Sequence, residues 1–255
     1  MRFEKWHALG NAYVLVEQPD AGKLDAARVQ RLCDTHTGIG SDGVLEILAR
    51  EGTRAELRIW NPDGSTAEMS GNGTRIAAAW LLRETGAGEV DVETAGRVVR
   101  SAGAAGGLVL QDIGPVGVLP DEELDVAGER LTVIPVDVGN PHAVVLRDVL
   151  SRDDLVRLGP ALETHPRFPA RTNVQLAQRR GRDVVSVLLW ERGAGETPTS
   201  GSSAVAVGAA GVARGWCESP VRIAMPGGEL LVAVSEEGVV LTGPAEEICA
   251  GTTGL

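Results

Sequence analysis

Ser70-Gly71-Asn72-Gly73-Thr74-Arg75, running on into IAAAWLL (76–82), and Thr199-Ser200-Gly201-Ser202-Ser203, running on into AVAVGAAGVA (204–213), are one device written twice. Each puts a hydroxyl side chain, then glycine, at the mouth of a small-residue run that reads as a helix. The first N–H groups of a helix have no partner inside it, so such a mouth attracts anions. Two mouths suggest a reaction worked from two sides.

The match extends outward from the serines. LRIWNPDGSTAEMS (57–70) falls over VLLWERGAGETPTS (187–200), and LGNAYVLV (9–16) over VGNPHAVVL (138–146), which sets Asn11 over Asn140. Thr35-His36 falls over Thr164-His165, and TAGRVV (94–99) over MPGGELLV (225–232), all at offsets of 129 to 131. A series at one spacing is the mark of a duplicated unit. Each half reads as strand, turn, strand; a short helix near DAARVQRLCD or SRDDLVRLGPAL; a strand ending at Trp60 or Trp190; a Gly-containing loop; the small-residue helix; closing strands.

This order predicts an α+β fold of two pseudo-symmetric lobes, each a curved, mostly antiparallel sheet wrapped around a central helix. The lobes are expected at 1–115 and 116–255, with a linker around 114–130 and the tail 246–255 available to return to the first lobe. Related by a pseudo-twofold, the two helix mouths would share one cleft, the usual home of a small ligand.

Composition narrows the partners. The 255 residues carry a net charge of −11, which argues against nucleic acid and anionic membrane surfaces. No run approaches ~18 apolar residues, and the polar start MRFEKWHALGNAY is not a signal peptide. Cys33, Cys217 and Cys249 are scattered, which fits a reduced cytoplasmic protein. Only Lys5 and Lys23 could serve a pyridoxal Schiff base.

Several motifs have bland alternatives. Gly38-Ile39-Gly40-Ser41-Asp42-Gly43 matches GxGxxG, but a β-like VLEIL follows where a dinucleotide loop needs a helix, so that reading is rejected. His7, His36, His142 and His165 lack metal-ligand spacing. His7 and His142 stand beside the repeated Gly-Asn turns, either lining the cleft or simply bonded to turn backbone. Asn11 and Asn140 divide in the same way. Glu191-Arg192, following Trp190, offers partners for the ammonium and carboxylate of an amino acid, or else a surface ion pair. Glu196 could cap a helix. Serine is itself a preferred helix cap, so Ser70 and Ser200 gain interest from their pairing and from the glycines behind them.

The motifs WHALGNAY, DTHTGIGSDGVL, WNPDGSTAEMSGNGTR, VGNPHAV, RTNVQ, WERGAGETPTSGSSAVA, MPGGEL and TGPAEEI resemble those of the diaminopimelate epimerase family, in order and through nearly the whole chain. The resemblance implies a cofactor-independent, metal-free cytoplasmic enzyme, a homodimer, whose partner is a small amino-acid substrate. In that family one group removes the α-proton while another donates from the opposite face; by position these are Ser70 and Ser200. It also places Asn11, Asn61, Asn140, Asn173, Glu191 and Arg192 around the substrate. Backbone at Gly71-Asn72 and Gly201-Ser202 would hold its α-carboxylate. The implied reaction is LL- to meso-diaminopimelate, with a related racemase or isomerase as the alternative.

One departure stands out. The family uses cysteine at both positions, and this chain has serine. A thiol ionises near pH 8.5 and lower at a helix start, whereas a serine hydroxyl needs a neighbouring proton acceptor. Three accounts follow: cysteines replaced by design, a natural serine pair assisted by His7, His142, Glu196 or an ordered water, or a binding homologue that has lost rapid turnover.

Overall fold

The computed structural model describes residues 1–255. It divides into two compact units, Met1–Gln111 with Gly243–Leu255, and Asp112–Thr242. The helices are α1 (Gln18–Ala21), α2 (Ala26–Cys33), α3 (Gly71–Thr85), α4 (Arg152–Glu163) and α5 (Gly201–Ala213).

In the first unit, Arg2–Ala8 and Asn11–Glu17 form a hairpin closed by the Ala8–Asn11 pair. Its two-residue loop, Leu9-Gly10, has φ of 53° and 88°, the left-handed geometry that tight hairpins favour. Asn11–Glu17 then runs parallel to Val44–Glu51, which pairs antiparallel with Arg54–Trp60. Arg54–Trp60 is parallel to Glu89–Thr94, which turns back antiparallel along Arg97–Gly103. The returning tail strand Glu246–Thr252 lies antiparallel on Arg2–Ala8.

This sheet surrounds α3. Ser70 caps the helix start and Gly86, at φ 65°, ends it in the left-handed conformation that stops helices. Ile76, Ala77, Ala78, Trp80 and Leu81 of α3 join Leu45, Ile47, Leu57, Ile59, Val90 and Val92 in one core. Each fully buried large apolar side chain there contributes about 1.5–3 kcal/mol. The alanines bring the strands in close on the remaining faces.

The second unit repeats the connections. Glu129–Asp137 pairs antiparallel with Pro141–Leu146, which runs parallel to Asn173–Arg179. Asn173–Arg179 is antiparallel to Val184–Glu191, itself parallel to Val221–Met225. The parallel pairs therefore fall at the same two steps in each unit, where a helix intervenes between strands. Helix α5 is buried at Gly201 and at every position from Ser203 through Gly211. At Gly208 an added Cβ would lie 2.6 Å from Val232 Cγ1, so glycine sets how near the Gly228–Val234 strand can come.

Residues 114–130 are not the expected linker. Gly117–Val118 and Glu122–Val126 are strands, and both pair with Glu129–Asp137. The sequence pattern breaks there because these strands are short and half exposed, which weakens alternation.

Candidate active site

Ser70 ends an extended segment at the first turn of α3, with φ −141° and ψ 117°. Its Oγ accepts the Gly73 N–H at 3.0 Å, an N-cap bond. On the same oxygen stands the Tyr13 hydroxyl, 3.1 Å away. Gly73 keeps this contact relaxed, since a Cβ would stand close to Ser70 Oγ at 3.2 Å and Leu45 at 3.1 Å.

A second set of bonds runs beside this pair. Arg75 donates to Asn72 Oδ1 at 2.9 Å, Asn72 Nδ2 to Asn11 Oδ1 at 3.2 Å, and Asn11 Nδ2 to Asp42 at 3.1 Å. A guanidinium only donates and a carboxylate only accepts, so the charged ends fix both amide orientations. Arg75 is fully buried and its Nε donates to the Pro244 carbonyl at 3.0 Å. Burial lowers its pKa to about 10, so it stays cationic at neutral pH. The start of α3 therefore carries a full positive charge as well as its dipole.

Asp42 belongs to the rejected GxGxxG segment, and the strand Val44–Glu51 does follow it. The segment is a mould for Asn11–Tyr13. Asp42 accepts the Ala12 N–H at 2.8 Å and its own N–H bonds the Ala12 carbonyl at 2.8 Å. A Cβ on Gly43 would sit 2.7 Å from the Tyr13 ring and 2.4 Å from the Trp60 carbonyl.

In the second unit Ser200 caps α5 the same way, accepting from the Ser203 N–H at 3.4 Å, with the Ser202 hydroxyl at 3.5 Å. No phenol stands there. Repeat-equivalent to Tyr13 is His142, which is fully buried and bonded to Gln175 at 2.9 Å and Asn140 at 3.0 Å. Gln175 passes on to Ser203 at 2.9 Å rather than to Ser200. Burial, far more than the charge of Arg192, lowers the His142 pKa to about 3 against the Gln175 bond, which raises it. His142 is thus a neutral structural imidazole near pH 7.

The remaining predicted residues fall into place unevenly. Asn173 donates to the Pro141 carbonyl at 3.0 Å and accepts the Arg192 N–H at 3.0 Å, clamping two strand ends. Arg192 reaches the Ala170 carbonyl at 3.1 Å and is exposed, with half-buried Glu191 beside it. Asn61 closes a local turn, donating to the Ser65 hydroxyl at 2.9 Å. Two expected helpers are otherwise engaged. Glu196 holds Arg152 at 2.9 and 3.0 Å and caps nothing. His7 accepts the Gly10 N–H at 3.3 Å, the turn-bonded alternative. Gly71 and Gly201 open their helices, followed by buried Asn72 and half-buried Ser202.

Sequence reading passed over Tyr13, Asp42, Arg75 and Glu163. Glu163 is buried and holds the Trp190 indole at 2.7 Å, the Gly193 N–H at 2.8 Å and Arg171 at 2.6 Å. Burial pushes its carboxyl up, yet those donors and the nearby guanidinium charges bring it below the ordinary range. Glu46 holds Trp60 in the first unit at 2.8 Å. Each Trp at the strand end before a helix mouth is pinned by a buried carboxylate. No group of three or more His, Cys, Asp or Glu side chains is arranged to hold a metal ion.

This α+β fold is a class already solved. A structure described as a predicted epimerase from Pseudomonas aeruginosa superposes with a TM-score of 0.74 at 18% identity, covering 100% of this chain and 99% of that one. At the level of sequence the match is closer. The diaminopimelate epimerase family model matches residues 3–118 and 134–248. The diaminopimelate epimerase of Pseudomonas syringae pv. tomato is 35% identical, over 100% of this chain and 99% of its own. That of Acaryochloris marina is 37% identical, over 98% of both. The chain belongs to the diaminopimelate epimerase family.

Proposed function

We propose that this chain is an isomerase that inverts an amino-acid α-carbon, converting LL-diaminopimelate to the meso form without metal or pyridoxal. Full-length family membership supports it, and the carrying observation is the pair of equivalent helix starts, each capped by a serine hydroxyl. In this reading Ser70 serves one face of the α-carbon and Ser200 the other, one removing the proton and the other returning one. The N–H groups at Gly71-Asn72 and Gly201-Ser202 take the α-carboxylate, whose charge the buried Arg75 also favours. Asn11, Asn61, Asn140 and Asn173 supply polar contacts, Asn11 and Asn72 each with one amide hydrogen beyond those already bonded. Glu191 and Arg192 read the distal ammonium and carboxylate.

The direct test is chiral chromatography of LL-diaminopimelate incubated with pure, chelator-treated protein. Meso product is expected. Saturable binding in calorimetry with no meso product would make the chain a binding homologue, and comparable turnover of proline would reassign the substrate.

We further propose a cytoplasmic homodimer. Sedimentation should give twice the 26.6 kDa chain mass; a single-chain mass across micromolar concentrations would contradict it. No helix is long and apolar enough to cross a membrane.

A further inference from the structure

A serine at the acid–base position needs a partner, because an aliphatic hydroxyl releases its proton only far above neutral pH. Around Ser70 the structure offers one. Tyr13 Oη lies 3.1 Å from Ser70 Oγ, in a geometry where either atom can donate. Ser70 Oγ also accepts the Gly73 N–H at 3.0 Å. The Tyr13 ring is held in place: it is buried in the first core, and Gly43 leaves room for it where a Cβ would not. Its chain neighbours Asn11 and Ala12 are anchored on Asp42.

We propose that Tyr13 is the proton partner of Ser70, supplying and recovering through that hydroxyl the proton that Ser70 exchanges with the substrate α-carbon. The inference rests on the epimerase reading above. When Ser70 acts as the acid, its O–H bond breaks and the proton joins the carbanion lone pair, forming the Cα–H bond. The Tyr13 O–H bond breaks in turn and its proton forms the new O–H on Ser70. Negative charge moves from carbon to the phenolate, and no other reactant is needed. When Ser70 acts as the base, the phenolate takes the Ser70 proton as Ser70 takes the α-proton.

The phenolate is the resting place of the charge because a phenol ionises near pH 10, far more readily than an aliphatic alcohol. Two donors, the Gly73 N–H and the Tyr13 hydroxyl, face Ser70 Oγ when charge builds there. Tyr13 touches no substrate atom in this scheme. It is a positioning residue that acts through Ser70, and Ser200 has no counterpart to it.

Tyr13→Phe keeps the ring and removes only Oη. In the native background, kcat should fall about a hundredfold or more, with KM within about threefold. The same change in a Ser70→Cys background should cost little, because a thiol ionises without help. An equal loss in both backgrounds would make Tyr13 merely structural, and no loss in the native background would overturn the proposal.

A second readout does not depend on turnover. Tyr13 is the single tyrosine of the chain, so its ultraviolet tyrosinate band titrates this residue alone. Ser70→Ala removes the hydroxyl that donates to the phenolate, so the titration midpoint should rise; an unmoved midpoint would sink the coupling. Should the native protein neither epimerise nor exchange α-protons, the epimerase reading fails on its own, and this titration still decides whether the two hydroxyls share a proton.

Discussion

Ser70 and Ser200 each cap a helix with the side-chain oxygen, and the proposed reaction asks the same oxygen to exchange an α-proton. Serine type and the repeat were readable in the sequence. The partners were not, because Tyr13 and Asp42 reach Ser70 and Asn11 only through chain separations of 57 and 31 residues. The clue available was positional: Tyr13 falls two residues after Asn11 as His142 falls two after Asn140. His142 illustrates how residue type alone misleads. It is one of the helpers offered beside His7, Glu196 and an ordered water, yet burial takes its pKa to about 3, and its bonds run to Gln175 and Asn140. Its folded pKa lies below the unfolded value of about 6.5, so its contribution to stability is complete above that pH. As pH falls from about 6.5 toward 3 the unfolded chain takes up the proton first, and stability drops by up to about 1.4 kcal/mol per unit. Urea unfolding at several pH values should show that slope lessened in His142→Asn. An unchanged slope would mean that the imidazole is not held neutral.

Helix starts in this fold come in two kinds that look alike in sequence. Ser151 caps α4 through the Asp154 N–H at 3.4 Å, just as Ser70 and Ser200 cap α3 and α5. Replacing any of the three with alanine should cost about 1 kcal/mol in denaturant unfolding. Only Ser70→Ala and Ser200→Ala should also abolish conversion of LL- to meso-diaminopimelate, while Ser151→Ala keeps native turnover. If Ser70→Ala or Ser200→Ala loses no more activity than Ser151→Ala, that serine is a cap alone. What separates the kinds is the run behind them. After Ser151 comes an amphipathic helix with Leu155, Leu158 and Leu162 turned inward, whereas α3 and α5 are buried on nearly every side. That difference is legible in LRIW…SGNGTRIAAAW and VLLW…SGSSAVAVGAA. The short strands of 117–126 were not, because two- and five-residue strands leave too little periodicity to read.

At the scale of the molecule, duplication accounts for the plan: each unit repeats two parallel strand pairs, one buried helix and one Trp pinned by a buried carboxylate. Offsets of 129 to 131 carried that plan in the sequence, since each unit must bury its own helix with the same pattern of small and branched residues. The units differ in what stands beside the serines, the Tyr13 phenol at Ser70 and the Ser202 hydroxyl at Ser200, so the proposed reaction predicts unequal rates for its two directions of proton transfer. The most direct measurement follows LL-diaminopimelate in deuterated buffer through the first turnovers by mass spectrometry and proton NMR. The account predicts meso product carrying solvent deuterium at the inverted α-carbon, while unreacted LL substrate stays protiated. Protium retained in the meso product, or no α-exchange at all, would contradict a reaction worked by two groups from two sides.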